Sequence, residues 1–209
     1  MKKILTTILA VLLAGPSFAQ LNSGGFSVDG NSIYYGVRLG ANFASIGGDD
    51  FRVDGMKVGL NLAGVIGLRL SDTTPLFLES GLYYTERGAK DGKDKVGLTY
   101  LEIPLLIKYG VQATDDIALL PFIGPYFSYG IAGKTKYKYV EEGIEVNYNE
   151  RSYKDFFNHS DMGIKLGCGA EYNKLYLELG YQFGLANIAD FDDASCHGNA
   201  LFLNFGVNF

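Results

Sequence analysis

Beyond its first nineteen residues, the sequence has no run of ~18 or more apolar residues, the minimum for a helix that crosses a bilayer. That absence excludes a helical membrane protein but not a transmembrane β-barrel, whose strands alternate and give little hydropathy signal each. Tryptophan is missing altogether, so anchoring at a membrane interface would fall to the 15 tyrosines. Two cysteines are too few for a disulfide framework, and Cys168 in a strand interior is not expected to meet Cys196 in a distant loop. Cations are outnumbered, 18 Lys and Arg against 23 Asp and Glu, which speaks against a nucleic-acid partner. Only 5 prolines interrupt the chain, whereas Gly (28), Tyr (15) and Phe (14) are plentiful, a composition that leans toward β-structure.

The amino terminus reads as an address. Lys2 and Lys3 precede an apolar run from Ile4 to Ala14, and Pro16-Ser17-Phe18-Ala19 ends in a small residue before Gln20. This is the layout of a secretory signal peptide, with cleavage expected between Ala19 and Gln20. No cysteine follows the cut, which argues against a lipid-anchored amino terminus. Loss of Lys2 and Lys3 takes the formal charge from −5 to −7. The expected organisation is a signal peptide (1–19), a flexible segment (20–32) and one β-barrel domain (33–209).

Eight stretches alternate with period two between turn signals: 33–43, 56–70, 76–87, 97–110, 117–131, 161–172, 175–186 and 199–209. One row of each is apolar. The stretch YLEIPLLIKY (100–109) shows it plainly: Leu101, Ile103, Leu105, Ile107 and Tyr109 occupy one side, and Glu102 and Lys108 the other. The third stretch has one exception in its apolar row, Ser80. The opposite rows hold glycines and a balanced charge set, Arg38, Arg69, Lys108 and Lys165 against Glu79, Glu102, Glu171 and Glu178. The links alternate short (71–75, 112–116, 173–174) and long (44–55, 88–96, 132–160, 187–198).

A soluble lipocalin-like barrel would bury the apolar row and expose the other. Most strands, however, reach the 9–11 residues of a tilted membrane strand, and the polar rows are too glycine-rich and too poor in charge to face water. The fold expected is therefore all-β, an eight-stranded antiparallel up-and-down transmembrane β-barrel preceded by a cleavable signal peptide. The apolar row contacts lipid, and the charged row packs and pairs inside. Short turns belong to the periplasmic end and long loops to the outside. Tyr35, Tyr84, Tyr109, Tyr129, Tyr172 and Tyr181 fall toward strand ends, where an aromatic girdle belongs. Pro104 cannot donate to a ladder and a closed barrel has no edge, so a bulge or a lost hydrogen bond is expected there. The closing strand, with Phe205, Val207 and terminal Phe209, looks like a signal read by the outer-membrane assembly machinery.

With these residues in view, the chain resembles the PorT-like outer-membrane β-barrel family of Bacteroides-type bacteria. YLEIPLLIKY (100–109) is the most specific match. GLYYTERGAK (81–90), PFIGPYFSYGIAGK (121–134), DMGIKLGCGAEY (161–172), LELGYQFGLANI (177–188) and LNFGVNF (203–209) accompany it, and the resemblance spans the second to the eighth stretch. The resemblance implies an eight-stranded outer-membrane barrel. Its namesake takes part in a protein-secretion system, but most members have no assigned activity.

Chemistry at the rim is thinly supported. His159-Ser160-Asp161 and Asp193-Ala194-Ser195-Cys196-His197 could supply a nucleophile and base to a hydrolase acting on lipid, but no nucleophile motif has its confirming context. Asp49, Asp50, Asp190, Asp192 and Asp193 lack the ligand spacing of a dedicated cation site and read as solvated loop acids, bridged by cations to lipopolysaccharide. The segment 134–157 keeps alternating and reads either as a hairpin offering an edge to a surface protein partner or as a cap on the mouth. Eight strands leave room only for side chains, so the expectation is a monomer with a plugged interior, no cofactor and no enzymatic activity, and a structural or surface-interaction role. The alternatives are a narrow porin-like pore and an accessory subunit of a secretion system.

Overall fold

The computed structural model describes residues 33–48, 52–71, 73–91, 94–141, 144–150, 152–155, 157–190 and 195–209. The expected signal peptide, its Ala19–Gln20 cleavage point and the 20–32 segment lie outside the described residues.

Among the described residues, ten strands and one short helix follow in order: β1 (Ile33–Gly47), β2 (Arg52–Arg69), β3 (Leu76–Asp91), β4 (Asp94–Tyr109), β5 (Val111–Gln112), β6 (Ile117–Glu141), β7 (Ile144–Glu150), α1 (Ser152–Asp155), β8 (Ser160–Tyr172), β9 (Leu175–Gly184) and β10 (His197–Asn208). Eight of them close an antiparallel barrel in the order β1-β2-β3-β4-β6-β8-β9-β10, and β10 returns to β1. The short β5 extends the β4 side of β6, and β7 pairs with the far end of β6 outside the ring. The seam is fixed to the last residue: Phe209 N–H donates to Tyr35 O at 2.7 Å, and Tyr35 N–H to Phe209 O at 3.2 Å. Closure leaves no strand edge within the ring, the condition for β-structure in hydrocarbon.

Period-two alternation makes the wall two-faced. Along YLEIPLLIKY, Ile103 is 55% exposed while its neighbour Glu102 is 0% exposed. The other strands repeat the pattern, with Leu39, Leu62, Leu82, Ile123, Leu166, Leu179 and Leu203 on the outside. Register places the tyrosines at common levels: Tyr84 and Tyr129 flank Leu101 from either side, and Tyr109 lies opposite Leu76 near the short turns. Leu101 to Tyr109 is eight residue steps along β4, or about 21 Å at ~3.4 Å per step and a ~40° tilt, close to the ~25 Å apolar band of such barrels.

Two oddities in the sequence explain one another. The β3–β4 register is the same on both sides of Pro104, so no bulge forms. The pairs opposite Ile103 and Pro104 drop out of the ladder instead. Ser80, the polar exception in the outer row, donates its hydroxyl to Pro104 O at 2.7 Å. The long links are largely strand: β1, β2, β3 and β4 run into 44–55 and 88–96, so these reach beyond the apolar zone as ribbons rather than loops. At the other end Asn173, with φ 55°, lets β8 turn into β9 across two residues.

Glycine on the inner face makes room for long side chains. A Cβ on Gly67 would land in the Tyr34 ring, and one on Gly169 in Tyr176. Both tyrosines lie over the adjoining strand, Tyr34 on β2 and Tyr176 on β8, where the glycine offers only backbone.

Candidate functional site: the charged interior and the covered mouth

The lumen is packed in layers. Nearest the short turns, Tyr34, Phe77, Leu120 and Tyr176 form an apolar seal. Above it lies the first charge cluster. Glu79 binds Lys108 Nζ at 2.7 Å and Arg38 Nη2 at 3.3 Å, and accepts the Tyr34 hydroxyl at 2.7 Å. Lys108 also faces Glu178 at 3.9 Å and donates to the Tyr176 hydroxyl at 2.8 Å. Asn204 donates to Glu178 at 2.7 Å and is itself reached by Asn61 at 3.0 Å. Leu106, Phe122 and Phe202 occupy the middle.

A second cluster follows. Arg87 binds Asp161 at 2.7 Å and Glu102 at 3.5 Å, and donates to Ser128 Oγ at 2.7 Å. Lys165 pairs with Glu102, which also accepts from Gln182 at 3.1 Å. Aromatic faces complete the cation shells: the Arg38 guanidinium sits 4.1 Å from the Tyr176 ring centroid and that of Arg87 4.1 Å from Tyr100. All eight charged residues are at most 3% exposed. Each cation has an anion beside it, the arrangement that makes burying charge tolerable.

Of the eight charges singled out from sequence, Arg38, Glu79, Glu102, Lys108, Lys165 and Glu178 come together here. Arg69 does not. As the last residue of β2, it lies outside the seal, half-buried, with Nε donating to Ser71 O at 2.8 Å and the guanidinium 5.9 Å from Phe77. Glu171 is half-buried near the short turns and accepts from Asn208 Nδ2 at 2.5 Å. Arg87 and Asp161 take their places. Arg87 shares the parity of Phe77, Glu79 and Tyr83 along β3, a signal present in the sequence. Asp161 was hidden by its position beside His159 and Ser160.

The mouth is covered from within. Residues 187–189 and Cys196 are not a polar loop: Ile188, Ala189 and Cys196 pack with Ile46, Leu98, Tyr100 and Phe157 in a buried cluster. Phe157 bridges Ala189 across the opening, and Asn158 Nδ2 donates to Ala189 O at 2.8 Å. The 134–157 segment thus divides. β6 and β7 form a hairpin, with Thr135 opposite Glu150 and Glu141 opposite Ile144, while Ser152, Tyr153 and Phe157 turn back onto the barrel. Cys168 faces outward and Cys196 is buried, and both are free. Burial pushes the Cys196 thiol up to about 11.

At the rim, Ser195 Oγ lies 3.4 Å from His197 Nε2, and His197 Nδ1 is 2.9 Å from Ala186 O. The first contact is long for a hydrogen bond, and the second occupies the ring nitrogen an orienting acid would need. Ser160 is exposed on the outer row opposite Tyr129. His159 is held flat between Tyr129 and Tyr153, with centroids at 5.2 and 4.8 Å, and its Nδ1 lies 2.6 Å from Gly130 O. Asp190 is exposed, and Asp49, Asp50, Asp192 and Asp193 lie outside the described residues. No group of three or more His, Cys, Asp or Glu among the described residues could hold a metal. Phe205 and Phe209 are 51% and 54% exposed on one outer row, with Val207 half-exposed between them.

Several solved structures resemble this barrel. The attachment invasion locus protein Ail of Yersinia pestis is 12% identical, over 86% of this chain and 100% of that one, with a TM-score of 0.45. Neisserial surface protein A is 13% identical over 86% and 98%, with 0.48. A major outer membrane protein of Thermus thermophilus is 16% identical over 86% and 100%, with 0.49. No curated protein sequence matches the chain. A sequence profile described as the outer membrane protein beta-barrel domain matches residues 18–190. That profile spans most of the chain, and the closed eight-stranded ring with its apolar exterior is the architecture it describes: the chain belongs to the outer membrane protein beta-barrel domain family and resides in the outer membrane.

Proposed function

We propose that this protein is a monomeric, non-conducting, non-enzymatic outer-membrane barrel that acts at the cell surface through the β6–β7 hairpin. The observation that carries the first part is the two-tier charge lattice. Eight buried charges fill the lumen between an aromatic seal and an apolar cap, and passage of an ion would require breaking these buried pairs. The long Ser195–His197 contact, with a backbone carbonyl where an acid would stand, supports a rim without hydrolytic chemistry.

The hairpin supports the second part. β6 continues twelve residues past Tyr129, to Glu141, about 40 Å of chain at ~3.4 Å per residue. β7 pairs only with β6 among the described residues, leaving a backbone edge that can recruit an extended strand of a surface partner. Within the wider family we place the chain in the PorT-like group of Bacteroides-type bacteria, on the strength of YLEIPLLIKY and the segments around it. Phe205, Val207 and Phe209 are the residues we assign to recognition by the assembly machinery.

Planar-bilayer recording of the refolded barrel tests the sealed lumen: a flat baseline is expected, and stable stepwise conductance would replace it with a narrow solute pore. Crosslinking from intact envelopes tests the hairpin. A partner captured through Tyr139 or Val146, positions paired across the ribbon, is expected. Recovery of the barrel alone would reduce the hairpin to a structural extension, and capture of secretion components would make the protein an accessory subunit.

A further inference from the structure

On the extracellular side the barrel wall forks. β8 leaves β6 at Tyr129–Ser160, and β7 joins it only at Thr135–Glu150. Between those points the backbone of β6 has no strand on that side among the described residues, and α1 and His159 fill the gap. The β4–β6 register shifts at the same level, between Thr99 and Tyr100, with Ile131 the extra residue. The result is a pocket of about 800 Å³ beside the fork.

Its walls differ in chemistry. Ile131 and Ala132 continue the outer apolar row just above Tyr129 and line the membrane side. Lys57 and Lys134 bring two ammonium groups to the other side, with Glu86 the one carboxylate among the lining residues. The Lys57 stem runs along the glycines of the neighbouring strands, and its Nζ donates to Arg87 O at 3.3 Å. Glu86 is engaged by Leu60 N–H at 3.3 Å and the Tyr84 hydroxyl at 3.2 Å, so its charge is partly spent within its own strands. The His159 ring is clamped between Tyr129 and Tyr153 and tied through Nδ1 to Gly130 O. That bond leaves Nε2 without a partner among the described residues.

We propose that this pocket seats the phosphate group of an outer-leaflet lipid, with its first acyl carbons on Ile131 and Ala132. Two ammonium groups against one engaged carboxylate leave a net positive charge, and an ammonium is a good phosphate partner. The level is right for a headgroup, since Tyr129 and Tyr84 mark the aromatic belt immediately below. The site rests on the membrane orientation given above, with the short turns in the periplasm, and not on the sealed lumen or the hairpin edge.

The test uses the mature barrel refolded in detergent and native mass spectrometry with three lipids of equal chain length: dilauroyl phosphatidic acid, dilauroyl phosphatidylcholine and dilauroylglycerol. One phosphatidic acid is expected to bind at least tenfold tighter than dilauroylglycerol. Lys134→Gln alone should weaken it several-fold and Lys57→Gln with Lys134→Gln at least tenfold. Lys174→Gln, in the 173–174 turn at the opposite end of the barrel, should leave it unchanged. Heat-modifiable mobility reports that each variant folds. Equal binding of the three lipids, or binding indifferent to both lysines, would overturn the proposal. Displacement of the lipid by millimolar inorganic phosphate would overturn the lipid assignment in favour of a soluble phosphate. A barrel that conducts yet still binds phosphatidic acid through these lysines would refute the sealed lumen and leave this site standing.

Discussion

Replacing Glu79 by Gln removes one negative charge from a fully buried carboxylate that holds Lys108 at 2.7 Å, Arg38 at 3.3 Å and the Tyr34 hydroxyl at 2.7 Å. The amide is nearly the same size, so packing is retained and the change is electrostatic. Its oxygen can still accept one bond, but its NH₂ group faces two cations. Losing two charge-assisted hydrogen bonds costs about 1.5–3 kcal/mol each, and breaking a buried pair from one side costs about 3–5 kcal/mol. About 4 kcal/mol is therefore expected, a factor of roughly 10³ in the folding equilibrium. With a urea slope of about 2 kcal/mol per molar, the midpoint for unfolding from lipid vesicles should fall by about 2 M. Glu171→Gln is the control, since Glu171 is half-buried and, among the described residues, accepts a side-chain hydrogen bond from Asn208 alone. It should cost less than about 1 kcal/mol. A Glu79→Gln midpoint within about 0.3 M of the parent, or equal to that of Glu171→Gln, would refute the paired interior.

Leu105→Arg, near mid-height on the outer face of β4, should destabilise the vesicle-embedded barrel by about 2–4 kcal/mol, whereas Tyr109→Arg at the belt should cost at most about 1 kcal/mol. Equal costs would deny a depth-dependent lipid contact. Gly67→Ala puts a methyl into the Tyr34 ring and should cost about 1–3 kcal/mol; in a Tyr34→Ala background most of that penalty should vanish, and full additivity would show that the two do not touch. In a Cys168→Ser background, Cys196 should alkylate at pH 8 roughly 200-fold more slowly in the folded barrel than in urea, because a thiol held at about 11 carries little thiolate there. Similar rates in both states would place Cys196 outside the cap.

The wall was legible in the sequence because lipid on one side and a packed lumen on the other impose a strict period of two, and one residue of slip would reverse every side chain. Leu101 to Tyr109 show this directly. The charge lattice was only partly legible. Parity assigns a residue to the inner face but says nothing of height, so Arg69 and Arg87, both of inward parity, could not be separated until β2 and β3 were placed in register. The mouth was the least legible. Its apolar cap comes from short, non-periodic pieces, Phe157, Ile188-Ala189 and Cys196, whose common burial depends on strands far apart in the chain. The lengths of the outer ribbons were missed for a related reason: above the membrane the apolar row gives way to charged and polar residues, although the ladder of hydrogen bonds continues.

A nitroxide scan of single-cysteine variants at 100–109, in bilayers and in a cysteine-free background, reports which residues of YLEIPLLIKY touch hydrocarbon. Oxygen collisions should peak at 101, 103, 105, 107 and 109. Spectra at 100, 102, 104, 106 and 108 should be immobilised and shielded from both oxygen and a water-soluble nickel reagent. Nickel access at the odd positions, or oxygen access without a period of two, would contradict a barrel whose aliphatic face meets lipid and whose charges pair inside.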